Sequence, residues 1–441
     1  MLSSPVNRAA CRLPEPASHL GGGGEIPWQV PHSSPDNMAP LHTISEWHRL
    51  GAPLFMKQPY YFPGCDLMIT AKDALARSKA NDFDRWVGGA HLSARERILK
   101  QVVVPVGRQS FSCKPGDTFF AIGSCFARNV EERLELSGAE VLSRKMNVRD
   151  LGDTGGRTLG IFNKYTPLSI LQELQFAAGE RPFPVEAFLP VRDGLFYDSQ
   201  LRVNSGDATI DALSARRAEI NTAFAQVFKA DVVILTLGLI EAWYDHKTDL
   251  YLTEMPAPRL IAQEPDRFGF KCLSLDDCTR ALQEIHGLLA RHGKPGQKVI
   301  VTVSPVALGR TFSEDDIIVA NMTSKSTLRV AAMEFADAHT GIDYFPSYET
   351  VMNSAPSLAW QEDRLHASDF IVGRIIGTFL ERYGLVEATE AAMQNDGVAE
   401  TAEQELISRL RRDVDKYKNR ILALEKQLQQ AKAGSDGMQA G

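Results

Sequence analysis

Apolar positions fall into two alternating patterns from Asp117 onward. Short, nearly continuous apolar runs rich in β-branched residues alternate with longer stretches whose apolar residues recur every three or four positions. The runs 118–122, 139–142, 232–237, 298–303 and 342–345 read as strands, and the stretches 125–136, 167–178, 210–228, 275–292, 324–338 and 368–383 as helices. A run such as Val232-Val233-Ile234-Leu235-Thr236-Leu237 shows no polar alternation, which is what a sheet covered on both faces requires. Strands alternating with helices imply right-handed crossovers, and so an α/β fold with a three-layer, doubly wound parallel sheet. In such sheets ligands lie beyond the carboxyl ends of the strands.

The flanking segments have other patterns. Residues 1–40 hold seven prolines and the run Gly21 to Gly24, with almost no apolar periodicity, and are expected to be a disordered tail. The stretch 41–114 mixes aromatic residues (Trp47, Phe55, Tyr60, Trp86) with loops and one helical stretch at 71–80, so it is expected to form an irregular layer on the α/β body, with 41–386 as one domain. An Ala/Glu-rich linker at 387–400 leads to a heptad pattern at 401–432. Ile407, Val414, Ile421 and Leu428 occupy its a positions, and Leu410, Tyr417 and Leu424 its d positions. This narrow stripe predicts a coiled coil and a parallel homodimer, over the alternative of an amphipathic helix docked on the body.

Composition narrows the classes of function. The 441 residues carry 48 basic and 55 acidic side chains, a net charge of −7, so no basic excess points to nucleic acid. The six cysteines are irregularly spaced without a CxxC pair, which suits free thiols in a reducing compartment. The longest apolar run, 232–240, is about half of the ~20 residues a membrane-spanning helix needs. With no secretory h-region at the N-terminus either, a cytoplasmic location is expected. There is no HExxH, no GxxxxGK[ST] and no Gly-x-Ser-x-Gly elbow, so neither a metal nor a cofactor is indicated.

Two segments carry residues suited to chemistry. At Gly123-Ser124-Cys125-Phe126-Ala127 an apolar strand ends and a helix begins at once. A serine at that turn sits at the sheet's carboxyl edge, near helix N-terminal amides that stabilise an oxyanion; the alternative is that Ser124 is only an N-cap. Cys125 offers a second chemistry, since a thiolate at a helix N-terminus is a strong nucleophile, although small apolar packing is its more usual role. At Asp363-Arg364-Leu365-His366, after the last strand, the spacing lets the acid orient the imidazole; the alternative is a capping Asp and a surface His. Glu241 and Trp243, after a buried strand, suit sugar hydroxyls and a sugar face, or equally an ion pair and a core plug. Lys325 and Arg329, four apart on one helix, read as a solvated basic face, with binding of an anionic group the alternative.

A Gly-Ser turn after the first strand, paired with Asp-x-x-His after the last, resembles the SGNH-type serine hydrolases. The residues Gly123 to Ala127 themselves resemble the GSCFA family of bacterial proteins, which is similar to that superfamily. Further landmarks are Asn163-Lys164-Tyr165-Thr166-Pro167, Leu235 to Trp243, Thr302-Val303-Ser304-Pro305-Val306 and Ser324 to Arg329. The resemblance implies an SGNH/flavodoxin-like sheet with Ser124 as nucleophile, His366 as base and Asp363 as its orienting acid. It also implies oxyanion donors near Gly238, but the position where the superfamily carries an Asn amide holds Ile240. Asn163 and the Gly160 backbone are the substitutes considered. The expected function is a serine-dependent esterase or O-acyltransferase acting on an acylated saccharide or related small ester. The alternative is a non-catalytic glycan-binding or scaffold protein that keeps the fold.

Overall fold

The computed structural model describes residues 68–88, 92–145, 148, 160, 162–202 and 205–385. The predicted tail, the linker and the coiled coil with its homodimer seam lie outside the described residues. In chain order the strands are β1 Thr118–Gly123, β2 Glu140–Val141, β3 Phe188–Arg192, β4 Leu195–Asp198, β5 Val232–Leu237, β6 Glu241–Asp245, β7 Leu250–Leu252, β8 Phe268–Cys272, β9 Lys298–Val303 and β10 Ile342–Tyr344. The α-helices are α1 Ala71–Ala80, α2 Ala94–Ile98, α3 Cys125–Leu136, α4 Pro167–Ala178, α5 Ile210–Phe224, α6 Pro258–Gln263, α7 Leu275–His292, α8 Ile317–Ala338, α9 Ser347–Asn353, α10 Pro356–Ala359 and α11 Asp369–Arg382.

Five strands form the central sheet in the order β10-β9-β5-β1-β2, and every pair in it is parallel. Numbered among themselves, they run 2-1-3-4-5, so the winding reverses between β1 and β5, where an open α/β sheet leaves a crevice. Both faces are covered. Phe120, Ile122, Val233 and Leu235 point into one core with Ile170, Phe224, Ile285 and Phe335 of α4, α5, α7 and α8. Phe119, Ala121, Ile234 and Ile300 point the other way, onto Phe126 and Val130 of α3 and Ile375 and Phe379 of α11. The period of two is therefore present along these strands, but both of its phases are apolar.

The expected α/β architecture is present, with differences in detail. The helix expected at 210–228 stops at Phe224 and tightens into a 3₁₀ turn, Ala225–Lys229. The helix expected from 324 starts at Ile317, where the Asp316 carboxylate caps the Ile318 amide at 2.8 Å. Its first two turns carry exposed Ile318 and Val319, so apolar periodicity is absent there. A β3–β4 hairpin and a small antiparallel sheet, β7-β6-β8, are additional. They share a separate core of Leu189, Tyr197, Leu252, Leu260 and Phe268. Their strands are only three to five residues long, too short for a period to register. Among the described residues no helix is long and apolar enough to cross a membrane.

Gly123 ends β1 at φ 142°, and a β-carbon there would lie 2.1 Å from the Thr236 carbonyl oxygen on β5. Only glycine fits both the dihedral and the approach. Gly123→Ala should therefore cost roughly 2–6 kcal/mol, combining backbone strain with overpacking. Urea denaturation measures this; an unchanged midpoint would show that β1 and β5 part without cost.

Candidate active site

Beyond Gly123 the chain turns into α3 at the reversal between β1 and β5. The Ser124 amide donates to Thr236 O at 3.1 Å, and the Gly123 carbonyl accepts from the Lys164 amide at 2.7 Å. Ser124 is 2% exposed. Its hydroxyl caps α3, accepting from the Phe126 amide at 3.3 Å, and lies 3.4 Å from Thr236 Oγ1. No hydrogen bond joins Ser124 Oγ to His366: the serine oxygen accepts at the helix end and its hydroxyl faces Thr236 Oγ1. The next side chain, Cys125, is partly exposed.

The His366 side chain is presented by a closed loop. Trp360 and Ala367 bridge antiparallel, and the Gln361 amide donates to His366 O at 2.9 Å. Inside the loop Asp363 Oδ1 accepts from the amides of Leu365 and His366 at 2.9 and 3.0 Å. Its Oδ2 accepts from His366 Nδ1 at 2.7 Å, which leaves Nε2 as the available ring nitrogen. The chief influence on the imidazole is a hydrogen bond with the Cys125 side chain; with Asp363 it outweighs burial and pushes the imidazolium up to about 9. The His366 bond, joined by the two amides, holds Asp363 down to about 2. The acid and histidine meet as expected, and Cys125 is the first of the side chains that raise the imidazole.

The remaining expected donors have other engagements. The Gly238 and Leu239 amides both donate to the Tyr165 carbonyl, at 3.0 and 2.8 Å, so Gly238 offers no free N–H. Ile240 is buried in the main core, its amide on Ser324 Oγ at 2.9 Å. Gly160 contributes its carbonyl, which accepts from the Asn163 amide at 3.3 Å. Asn163 is buried, its Nδ2 donating to Tyr165 Oη at 3.4 Å while Oδ1 has no partner among the described residues. Glu241 accepts from Thr311 Oγ1 at 2.6 Å and from the Phe312 amide at 2.9 Å, and Trp243 packs between Phe270 and Phe312. Glu241 and Trp243 thus brace the 304–316 loop and do not present a free sugar platform.

Sequence reading gave Tyr165 and Arg202 no place at the thiol and read Lys325 as solvated. Burial pushes up the Tyr165 phenol, which feels the charges of Cys125 and Arg202. Arg202 pairs with Glu254 at 2.8 Å and also feels Cys125. Lys325 is not on a solvated face: it is fully buried, on the same stripe of α8 as Leu328, Ala331, Ala332 and Phe335. That position, three residues before Leu328, was the available signal. Arg329 does lie partly outside, but it is paired with Glu349 and sits 4.1 Å from the Tyr344 ring centre.

The raised His366 pKa fixes a sign. Its contribution to stability is fully present below the unfolded value of ~6.5 and is lost as pH rises through about 9. Asp363 contributes above its unfolded value of ~3.9, and that contribution is lost as pH falls through about 2. NMR titration of His366 should give a midpoint near 9 that falls further in Cys125→Ala than in Asp363→Asn. The reverse ranking would show that the acid, not the thiol, sets the imidazole.

No curated protein and no solved structure matches this chain. The GSCFA family model matches residues 118–379, more than half of it, and spans β1, the Gly123–Ala127 turn, the Lys325 helix and the Asp363–His366 loop. With those motifs and that coverage, the chain belongs to the GSCFA family.

Proposed function

We propose that this protein is an esterase or O-acyltransferase with an SGNH-like arrangement whose nucleophile is the Cys125 thiol, oriented and deprotonated by His366 and Asp363. The observation that carries the reading is that the Cys125 side chain is the first influence on His366, while Ser124 Oγ is committed to the N-cap. His366 Nε2 takes the thiol proton, and Sγ forms a bond to the acyl carbon of an ester. The resulting oxyanion lies at the N-terminus of α3, where the Phe126 and Ala127 amides are spent on Ser124 Oγ and O at 3.3 and 2.9 Å and the helix dipole favours the negative charge. Tyr165 Oη accepts from Asn163 and keeps its own proton to donate, and burial holds that phenol protonated.

Collapse of the adduct breaks the ester C–O bond, and the departing alkoxide takes the proton from the His366 imidazolium. A thioester remains on Cys125. Water or an acceptor hydroxyl then gives its proton to His366 and attacks the thioester, and the thiolate leaves. Tyr165, Asn163 and Arg202 give the surroundings of the thiol a polar lining suited to a hydroxyl-bearing acceptor such as a saccharide. Ile240 in place of an amide donor favours slow turnover, since one such donor typically contributes ~2.7–4 kcal/mol to the barrier.

The test is intact-protein mass spectrometry with an activated ester. The wild type should acquire one acyl group on Cys125, and Cys125→Ser should slow turnover by about 10³-fold or more. Ser124→Ala should still acylate, with a stability loss of ~1 kcal/mol from the missing cap. Acylation that survives Cys125→Ser and disappears in Ser124→Ala would restore the serine as nucleophile. No acyl adduct on any variant would favour the non-catalytic binding or scaffold reading.

A further inference from the structure

One carboxylate holds His366 in two places. Asp363 takes the His366 amide at 3.0 Å and its ring Nδ1 at 2.7 Å, together with the Leu365 amide at 2.9 Å. For a side chain to bind both the backbone and the ring of the residue three positions on, the chain must reverse sharply between them. It does so at Arg364, whose φ is 54°. The left-handed region sets a β-carbon against the following carbonyl, so glycine is its usual occupant and Asn or Asp its next. Among the described residues only one other non-glycine, Asp249, has a positive φ, and aspartate is one of the types that tolerate it. Arginine is not.

A residue that resists its own dihedral is kept there by what surrounds it. The Arg364 amide donates to Gln361 O at 3.1 Å, inside the loop. The side chain reaches outside it: Nη1 donates at 2.8 Å to the carbonyl of Pro356, the first residue of α10. On the other flank the Leu365 carbonyl accepts from the Ala307 amide at 3.4 Å, and Gln361 Nε2 closes the base on Ala367 O at 3.2 Å. The Arg364 side chain is exposed, so it contributes no core packing, and its bond to Pro356 is the link from the strained position to a helix. Glycine would accept the dihedral but has nothing with which to reach α10.

We propose that Arg364 is a positioning residue, whose tether to α10 holds the left-handed turn that lets Asp363 grip His366 by amide and ring at once. This rests on the reading of His366 as base and Asp363 as its orienting acid, and it holds for either nucleophile. Without the tether the backbone relaxes toward the right-handed or extended regions. Asp363 then no longer holds the ring and both amides together, and the imidazole loses the partner that fixes which nitrogen is free.

The test compares two truncations in the full chain. Arg364→Ala and Arg364→Gly remove the same charge and the same tether, but only glycine frees the backbone. The side chains that raise the imidazole, Cys125 from α3 and Asp363 from the loop, are present in both variants. By NMR, Arg364→Ala should lower the His366 midpoint from about 9 by roughly half a pH unit or more, and slow acyl transfer from an activated ester roughly tenfold. Arg364→Gly should stay close to wild type in both. Loss of a neighbouring cation alone would raise the midpoint, and equally in the two variants, so a fall confined to Arg364→Ala reports the turn. An unchanged midpoint in Arg364→Ala overturns the proposal, and so does an equal fall in both variants. The titration needs no turnover, so failure of the acyl-transfer reading registers separately, as a wild type that acquires no acyl group.

Discussion

The approach of β1 to β5 at Gly123 governs the geometry of everything around the thiol. The strands are close enough there that no side chain fits between Gly123 and the Thr236 carbonyl, and the backbone must take a dihedral that L-residues avoid. That conformation frees two groups for long-range use. The Ser124 amide locks onto Thr236, and the Gly123 carbonyl holds Lys164 and with it the Asn163–Pro167 segment. The same segment then receives the Gly238 and Leu239 amides on the Tyr165 carbonyl. One tight crossing thus determines where α3 begins, which amides are spent and which side chain meets the crevice.

The neighbourhood uses buried cations in two ways. Lys164 lies against Glu173 at 2.6 Å, and Glu173 also binds Arg217, which reaches Asp198 at 3.1 Å. All four are essentially removed from water, and burial penalises their charged forms, lowering Lys164 and Arg217 and raising Asp198. The cluster balances two cations with two carboxylates, and its work is anchorage of the segment that grips Gly123. Removing one partner from such a network leaves an uncompensated charge, which is more damaging than replacing the whole set. Lys325 differs in having, among the described residues, carbonyl partners alone.

Much of the fold was legible because fully buried strands and amphipathic helices write long, regular patterns. The limits of α3, α4 and α7 and of β5 and β9 coincide with the apolar patterns that predict them. The short antiparallel strands β6–β8 were not legible, since three to five residues cannot establish a period. At the site, the Asp363–His366 pair was readable because its geometry is local. The choice between Ser124 and Cys125 was harder, because it turns on which residue is the cap and which the first helical residue, a one-position difference. Lys325 was misread as solvated because a lysine's charge hides the stripe on which it lies. Glu241 and Trp243 were placed near the pocket by strand order alone, before the 304–316 loop that occupies them was known.

The wide separation along the chain of the groups around the thiol has a consequence for biosynthesis. Thr118 and Asp231, which clamp the start of the β1–β5 pairing, are 113 positions apart, and Lys325 reaches back 87 positions to Gly238. A chain emerging from the ribosome exposes Cys125 long before Lys325 and His366 are made. Through that interval the thiol has neither the His366 loop nor α8 beside it, and non-local pairing of this kind is slow to close. On the proposed reading, reactivity belongs to the finished molecule and not to the nascent chain.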